Sequence, residues 1–258
     1  MLELDTNPAM KHDVPLERLP REAISELSNK LLLADHFNRY RFCQQFVSGK
    51  KVLDAACGIG YGSRLLAEAG AQHVHAIDIS PEAIAAAQAH YEHPNIHFEA
   101  SDLLFLSATG YYDVVVSFET IEHIADTQRY LRVIQDCLKP GGLYFVSTPN
   151  RAVSNPRATR FDKPKNPFHQ IEWALGEFIE LLEEYFTVEE VYGQHPYYYR
   201  STRIRTIESM FVSLRLRKLL HLPEADYEKI SRVRRIKPYH EPVFLMAKCV
   251  KKFLGESA

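Results

Sequence analysis

The chain has 258 residues, 46% hydrophobic and 25% charged, with a formal net charge of −2. That apolar content suits one core domain with a small elaboration, and the near-neutral balance excludes a whole-molecule field that gathers nucleic acid or coats an anionic membrane. Its 4 cysteines include no CxxC pair, which excludes a disulfide-dense secreted framework and a zinc knuckle; they read as reduced thiols.

The opening "MLELDTNPAMKHDVPLERLP" lacks the charged-then-apolar order of a signal peptide. No apolar run approaches the roughly 20 residues that span a bilayer, so the expectation is a cytoplasmic protein. Next, "REAISELSNKLLLADHFNRYRFCQQFVSG" carries apolar residues at helical spacing and stops at Gly49, which predicts one or two helices before the core.

From Lys50 the texture changes. Short apolar runs ("KVLDAAC", "HVHAIDI", "IHFEASD", "YYDVVVSF", "LYFVSTP") alternate with helical stretches ("GSRLLAEAG", "PEAIAAAQAHY", "DTQRYLRVIQDCLKPGG"). Strand and helix in alternation predict an α/β fold, a mostly parallel, doubly wound sheet with helices on both faces. Right-handed crossovers then gather the C-terminal strand ends on one edge, where ligands bind in such sheets.

Residues 151–170, "RAVSNPRATRFDKPKNPFHQ", are rich in Pro, Asn and basic residues and predict a long loop of the kind that serves as a lid or binding segment. A helix ("IEWALGEFIELLEEYF"), a strand ("TVEEVYG") and a final strand ("EPVFLMAKCV") follow, the last two separated by a helical insertion over 195–239. The expected organisation is an N-terminal helical segment, 1–49, covering the cofactor site, and a core, 50–258, bearing the lid and the insertion.

The stretch "VLDAACGIGYGS" ends a strand in Asp54 and enters a loop with Gly58, Gly60 and Gly62. Glycines there let backbone amides approach a ligand at a helix start, the pattern of a nucleotide-type cofactor site. Asp78 ends the next strand, placed to accept hydrogen bonds from both ribose hydroxyls. Ser63 stands where the dehydrogenase fingerprint GxGxxG has its last glycine, so NAD fits less well.

Asp54, the GxGxG spacing, Asp78, "ASDLL" and the "PGG" of Pro140 to Gly142 together resemble the class I S-adenosylmethionine-dependent methyltransferases, over roughly 50–149. The resemblance implies a seven-stranded, mostly parallel sheet with an antiparallel last strand. It also implies that Asp54 and the Gly58 and Gly60 backbone hold the methionine part of S-adenosylmethionine, Asp78 the ribose, Ile79 an adenine face, and Asp102 with Leu103 the adenine edge. Phe118, closing the fourth strand, joins the cofactor set. The family often has Gly where Ala56 stands. Upstream, "DHFNRYRF" resembles an HxxRYxF segment that many bacterial members place over the methionine carboxylate, which makes His36 and Arg39 candidate contacts.

In "FETIEHI", residues 118–124, Glu119, Glu122 and His123 fall at i, i+3 and i+4, one face of a helical turn. Two close carboxylates repel unless a cation lies between them, and oxygen with imidazole donors suits Mg²⁺, Mn²⁺, Fe²⁺ or Zn²⁺. His169 in "NPFHQIEW" is the candidate fourth ligand. The alternatives are a lone His123 base, or Glu119 touching cofactor, Glu122 in a salt bridge and His169 packing the lid. ExxEH, then "TPN" at Thr148 to Asn150, then His followed by "EW", resembles the metal-dependent 2′-O-methyltransferases of small-RNA 3′ ends; ubiquinone-pathway enzymes and bacterial glycan and natural-product methyltransferases share ExxEH. Carried over, the resemblance makes Glu119, Glu122, His123 and His169 metal ligands, and Glu119 and His123 the catalytic pair.

The expected reaction is metal-assisted O-methylation of a diol-like acceptor, a sugar or glycan hydroxyl first and a polyketide or catechol-like ring second. RNA is the competing partner, because the insertion is basic (Arg200, Arg203, Arg205, Arg215, Arg217, Lys218) and "YYYR" at Tyr197 to Arg200 offers stacking surface. Its "SLRLRKLLHL" reads either as a peripheral membrane helix or as core or homodimer contact. A cofactor-binding module without catalysis is the non-enzyme reading.

Overall fold

A computed structural model describes residues 27–194, 198–199, 232–236 and 240–252. Helix α1 (Leu27–Cys43) precedes β1 (Lys51–Ala55), α2 (Tyr61–Glu68), β2 (His73–Asp78), α3 (Pro81–Tyr91), β3 (Ile96–Ala100), β4 (Tyr112–Phe118), α4 (Thr127–Cys137) and β5 (Leu138–Pro149). Then come the single turn α5 (Arg151–Ser154), α6 (Leu175–Glu183), β6 (Phe186–Gln194), the two-residue strands β7 (Tyr198–Tyr199), β8 (Arg234–Arg235) and β9 (His240–Glu241), and β10 (Phe244–Lys251).

Local chemistry sets the helix starts. Ser80 accepts from the Ala83 N–H at 3.2 Å with Pro81 in the first turn, and Asp126 accepts from the Arg129 N–H at 3.0 Å, each satisfying an amide that the helix leaves without a partner.

The main sheet runs β3-β2-β1-β4-β5-β10-β6-β8. Strands β3 to β5 are parallel, while β10 lies antiparallel between β5 and β6. The expected seven-stranded sheet with its reversed last strand is therefore present, extended by β8, which pairs with β6 through Tyr192 and Gly193. Central strands are apolar on both sides because both faces are covered. Leu53, Val115, Tyr144 and Val146 pack on one face, and Val52, Val74, Val114, Val116 and Phe145 on the other.

The insertion expected over 195–239 lies outside the described residues except at β7, 232–233, β8 and Ile236. Helices expected before Leu27 also lie outside them. No helix among the described residues is long and apolar enough to cross a membrane.

Candidate functional site

Strand β1 ends beside a loop whose shape depends on side-chain absence. Gly60 has φ +87°, and a Cβ there would meet the Ala87 Cβ at 2.7 Å. Gly62 begins α2 so close to α1 that a Cβ would fall 2.1 Å from the Tyr40 ring. Ala56 stands at φ +69°, a left-handed conformation that strains any Cβ and suits the glycine that the family resemblance leads one to expect there.

Asp54 is fully buried beneath this loop, accepting from the Tyr40 hydroxyl at 2.9 Å and the Ser63 hydroxyl at 2.6 Å. Burial pushes its carboxyl up to about 7, against partial opposition from those two hydrogen bonds. Asp78 receives the Gly58 N–H and the Ser80 N–H, both at 2.9 Å, one on each oxygen. A carboxylate offers about four acceptor positions, so capacity for ribose hydroxyls remains. Ile79 is 63% exposed at this edge, and Asp102 caps the turn at Leu103–Phe105 through the Leu104 N–H, 2.9 Å away. Leu103 is buried, and Phe118 sets its ring edge-on to Tyr40 at 5.0 Å between centroids.

Helix α1 delivers His36, Arg39 and Tyr40 to the same edge, all buried. Arg39 is fully buried, and such a charge needs partners. It has Glu119 at 3.1 Å, donates through Nε to Gln194 at 2.5 Å and stacks over Phe244 at 4.7 Å. Gln194 in turn donates to the Asp35 carbonyl at 3.0 Å. His36 is held well below its usual value by burial and by the neighbouring Arg39 charge.

Glu119 departs from expectation for a local reason. The helical-face argument needs residues 119–123 in one helix, but only Ile121–His123 form a turn, of the 3-10 type. Glu119 sits before it at φ +52°, a left-handed conformation costing about 1–3 kcal/mol in a non-glycine residue. The kink sends its carboxylate to Arg39 and to the Ser147 hydroxyl, which donates at 2.7 Å. Burial raises the Glu119 carboxyl, and the Arg39 charge and the Ser147 hydrogen bond offset this only in part.

The other three residues of the expected set converge. Ligand atoms of Glu122, His123 and His169 all lie within 4.8 Å of one another. His123 and His169 meet at right angles, 4.8 Å between ring centroids. Backbone pairing draws the loop back to this point, since the Gln170 N–H donates to the Glu122 carbonyl at 2.7 Å and the Arg151 N–H to the Trp173 carbonyl at 2.9 Å.

Each imidazole has its Nδ1 on an oxygen, His123 on the Phe168 carbonyl at 3.0 Å and His169 on the Glu172 carboxylate at 2.7 Å. Oxygen partners of this kind fix the orientation of an imidazole, as the outer layer of a metal site does. Glu172 itself is pushed up by burial, but hydrogen bonds from His169 and Ser154 outweigh this and hold it below its usual value. Asn166 places its Nδ2 2.8 Å from the His169 Nε2. Sequence reasoning did not single out Glu172, Asn166 or Tyr40, and it read Ser63 only as a departure from the dehydrogenase fingerprint. The "EW" after His169 was the available signal for Glu172.

A glycine loop after β1, an acid ending β2 and a reversed strand beside β5 define an α/β domain of the S-adenosylmethionine-dependent methyltransferase type. The family model described as "Methyltransferase domain" matches residues 22–208, and the chain belongs to that family. A probable S-adenosylmethionine-dependent methyltransferase from Mycolicibacterium smegmatis is 38% identical over 148 residues, 57% of this chain and 55% of that protein. A ubiquinone biosynthesis O-methyltransferase from Xylella fastidiosa is 38% identical over 112 residues, 42% of this chain and 45% of that one. The chain thus spans about half the length of these curated relatives. Among solved structures, an S-adenosylmethionine-dependent methyltransferase from Mesorhizobium loti shares the fold with a TM-score of 0.59 at 19% identity, covering 86% of this chain and 100% of that one.

Proposed function

We propose that this chain is an S-adenosylmethionine-dependent O-methyltransferase in which Glu122, His123 and His169 hold a divalent cation beside the transferred methyl group. The observation that carries the reading is the convergence of those three side chains within 4.8 Å on the strand edge that also presents Asp54, Gly58 and Asp78. Their donor set of one carboxylate and two oriented imidazoles fits Zn²⁺, Mn²⁺ or Fe²⁺, with Mg²⁺ less well served by nitrogen.

When bound, S-adenosylmethionine would supply an electrophilic methyl, transferred as its C–S bond breaks and a C–O bond forms, and a cation held by Glu122, His123 and His169 would lower the pKa of the acceptor hydroxyl, whose proton would pass to solvent water. The chain's own residues do the positioning. Asp54 and the Gly58 to Gly60 amides would take the methionine part and Asp78 the ribose, with Ile79, Asp102 and Leu103 around the adenine. Glu119 keeps Arg39 neutralised inside the protein and so fixes α1 against the site. With Nδ1 on the Phe168 carbonyl, His123 meets a ligand or a proton through Nε2.

The acceptor class follows from the cation. A metal that binds one oxygen gains most from a second beside it, so a sugar or glycan diol, or a catechol-like ring, is the proposed acceptor. Similarity to a ubiquinone biosynthesis O-methyltransferase supports the aromatic member of that pair. The basic insertion that would serve RNA lies almost wholly outside the described residues. Methyl transfer to a panel of paired acceptors, each diol beside its mono-hydroxyl analogue, tests this. Diols are expected to react at least about tenfold faster, since the second oxygen fixes the geometry; equal rates for both members of every pair contradict the chelation argument.

A further inference from the structure

We propose a second metal site, for a borderline divalent transition ion such as Zn²⁺, formed by His75, His97 and Glu99 on the open face of the β2–β3 edge of the sheet. The three offer ligand atoms that all lie within 4.8 Å of one another. Strand periodicity makes this so. His97 and Glu99 are two apart on β3 and share a face, and the parallel register sets His75 directly beside His97. The His75 Nε2 lies 2.8 Å and the His97 Nε2 4.0 Å from the same Glu99 oxygen, and the two rings lie 5.4 Å apart, tilted by 38°.

A second layer is in place here too. The His75 Nδ1 is 2.5 Å from the Tyr112 hydroxyl, which fixes the ring with its Nε2 toward Glu99. The face is open because residues 101–111 between β3 and β4 contain only the three-residue turn at Leu103–Phe105 instead of a crossover helix. Accordingly the His97 side chain is 62% and the Glu99 side chain 43% exposed, so an ion has access and keeps room for water. Two nitrogens and one carboxylate suit Zn²⁺, Co²⁺, Ni²⁺ or Cu²⁺ rather than Mg²⁺ or Ca²⁺.

This place is separate from the catalytic edge. Tyr112 opens β4 and Phe118 closes it, about 20 Å apart at a strand's rise per residue. An ion here would bind the edge strand β3 to β2 and stiffen the chain that leads to Asp102.

Zinc titration calorimetry on the full chain decides it, in a His123→Ala background that disables the other cluster. One equivalent of Zn²⁺ is expected to bind there, and adding His97→Ala is expected to weaken it at least about 100-fold, because one of three protein ligands is lost. His97 is exposed, so its replacement leaves folding intact. No Zn²⁺ bound in the His123→Ala protein, or binding unchanged after His97→Ala, overturns the proposal. If wild type and His123→Ala both take up a single equivalent that His97→Ala removes, this site stands and the catalytic metal fails.

Discussion

Replacement of His123 by alanine is expected to lower the rate of methyl transfer by about two to four orders of magnitude, while affinity for S-adenosylhomocysteine stays within about threefold. The contacts of His123 include the Phe168 carbonyl and the His169 ring. On the proposed reading its removal deletes a metal ligand or a base and leaves Asp54, Gly58 and Asp78 in place. Glu122→Gln is expected to behave likewise, since it keeps the shape of a fully buried side chain and removes its charge.

Glu119→Gln separates the readings. Glu119 is paired with buried Arg39 rather than gathered with the histidines, and stripping the charge from one partner of a buried pair costs about 3–5 kcal/mol. The expected result is a lower melting temperature with bound metal retained. Metal lost and stability kept would place Glu119 among the ligands after all. Stopped-time assays with radiolabelled methyl donor, beside calorimetry and thermal melts, give all three quantities.

The second large effect concerns Asp54. Its carboxyl is raised to about 7 by burial, so it changes charge near neutral pH. If the ionised form receives the ammonium of the cofactor's methionine part, affinity for S-adenosylhomocysteine should rise about tenfold between pH 6 and pH 8. Asp54→Asn should flatten that dependence and weaken binding at pH 8 by at least about 100-fold.

Stability of the ligand-free protein runs the other way. Above the ordinary value near 3.8 the unfolded chain has lost this proton, whereas the folded chain keeps it until about 7. The folded state thus binds more protons in that window, and stability falls as pH rises through it, by at most about 1.4 kcal/mol per pH unit. Affinity that is constant from pH 6 to pH 8 in the wild type would remove Asp54 from ligand binding.

Much of the frame was legible because it rests on period and punctuation. Alternating apolar runs marked β1 to β5, and apolar residues at helical spacing marked α3 and α4, whose Ser80 and Asp126 caps became visible only in the structure. The glycine loop after β1 was equally readable as a tight turn, since Gly60 and Gly62 answer steric demands from Ala87 and Tyr40. Glu119 was misplaced because the i, i+3, i+4 rule assumes a helix. A positive φ at the strand end, enforced by its pairing with Ser147 on β5, leaves no mark in a single sequence. The His75–His97–Glu99 cluster was invisible for another reason. It exists only once β2 and β3 align in register, a non-local fact. Conversely, the nearness of His169 to Glu122 and His123 was expected through "NPFHQIEW" by resemblance, while its hold on Glu172 emerged from the turn between them.

The central claim is that a divalent ion sits among Glu122, His123 and His169 and is needed for turnover. The direct measurement is methyl transfer by protein stripped with a tight chelator, verified metal-free by mass spectrometry, then assayed alone and after stepwise addition of Mn²⁺ or Zn²⁺. The account predicts activity at least about 100-fold lower in stripped wild type, restored by one added equivalent at this cluster, with no restoration in His123→Ala. Full activity in verified metal-free protein contradicts it.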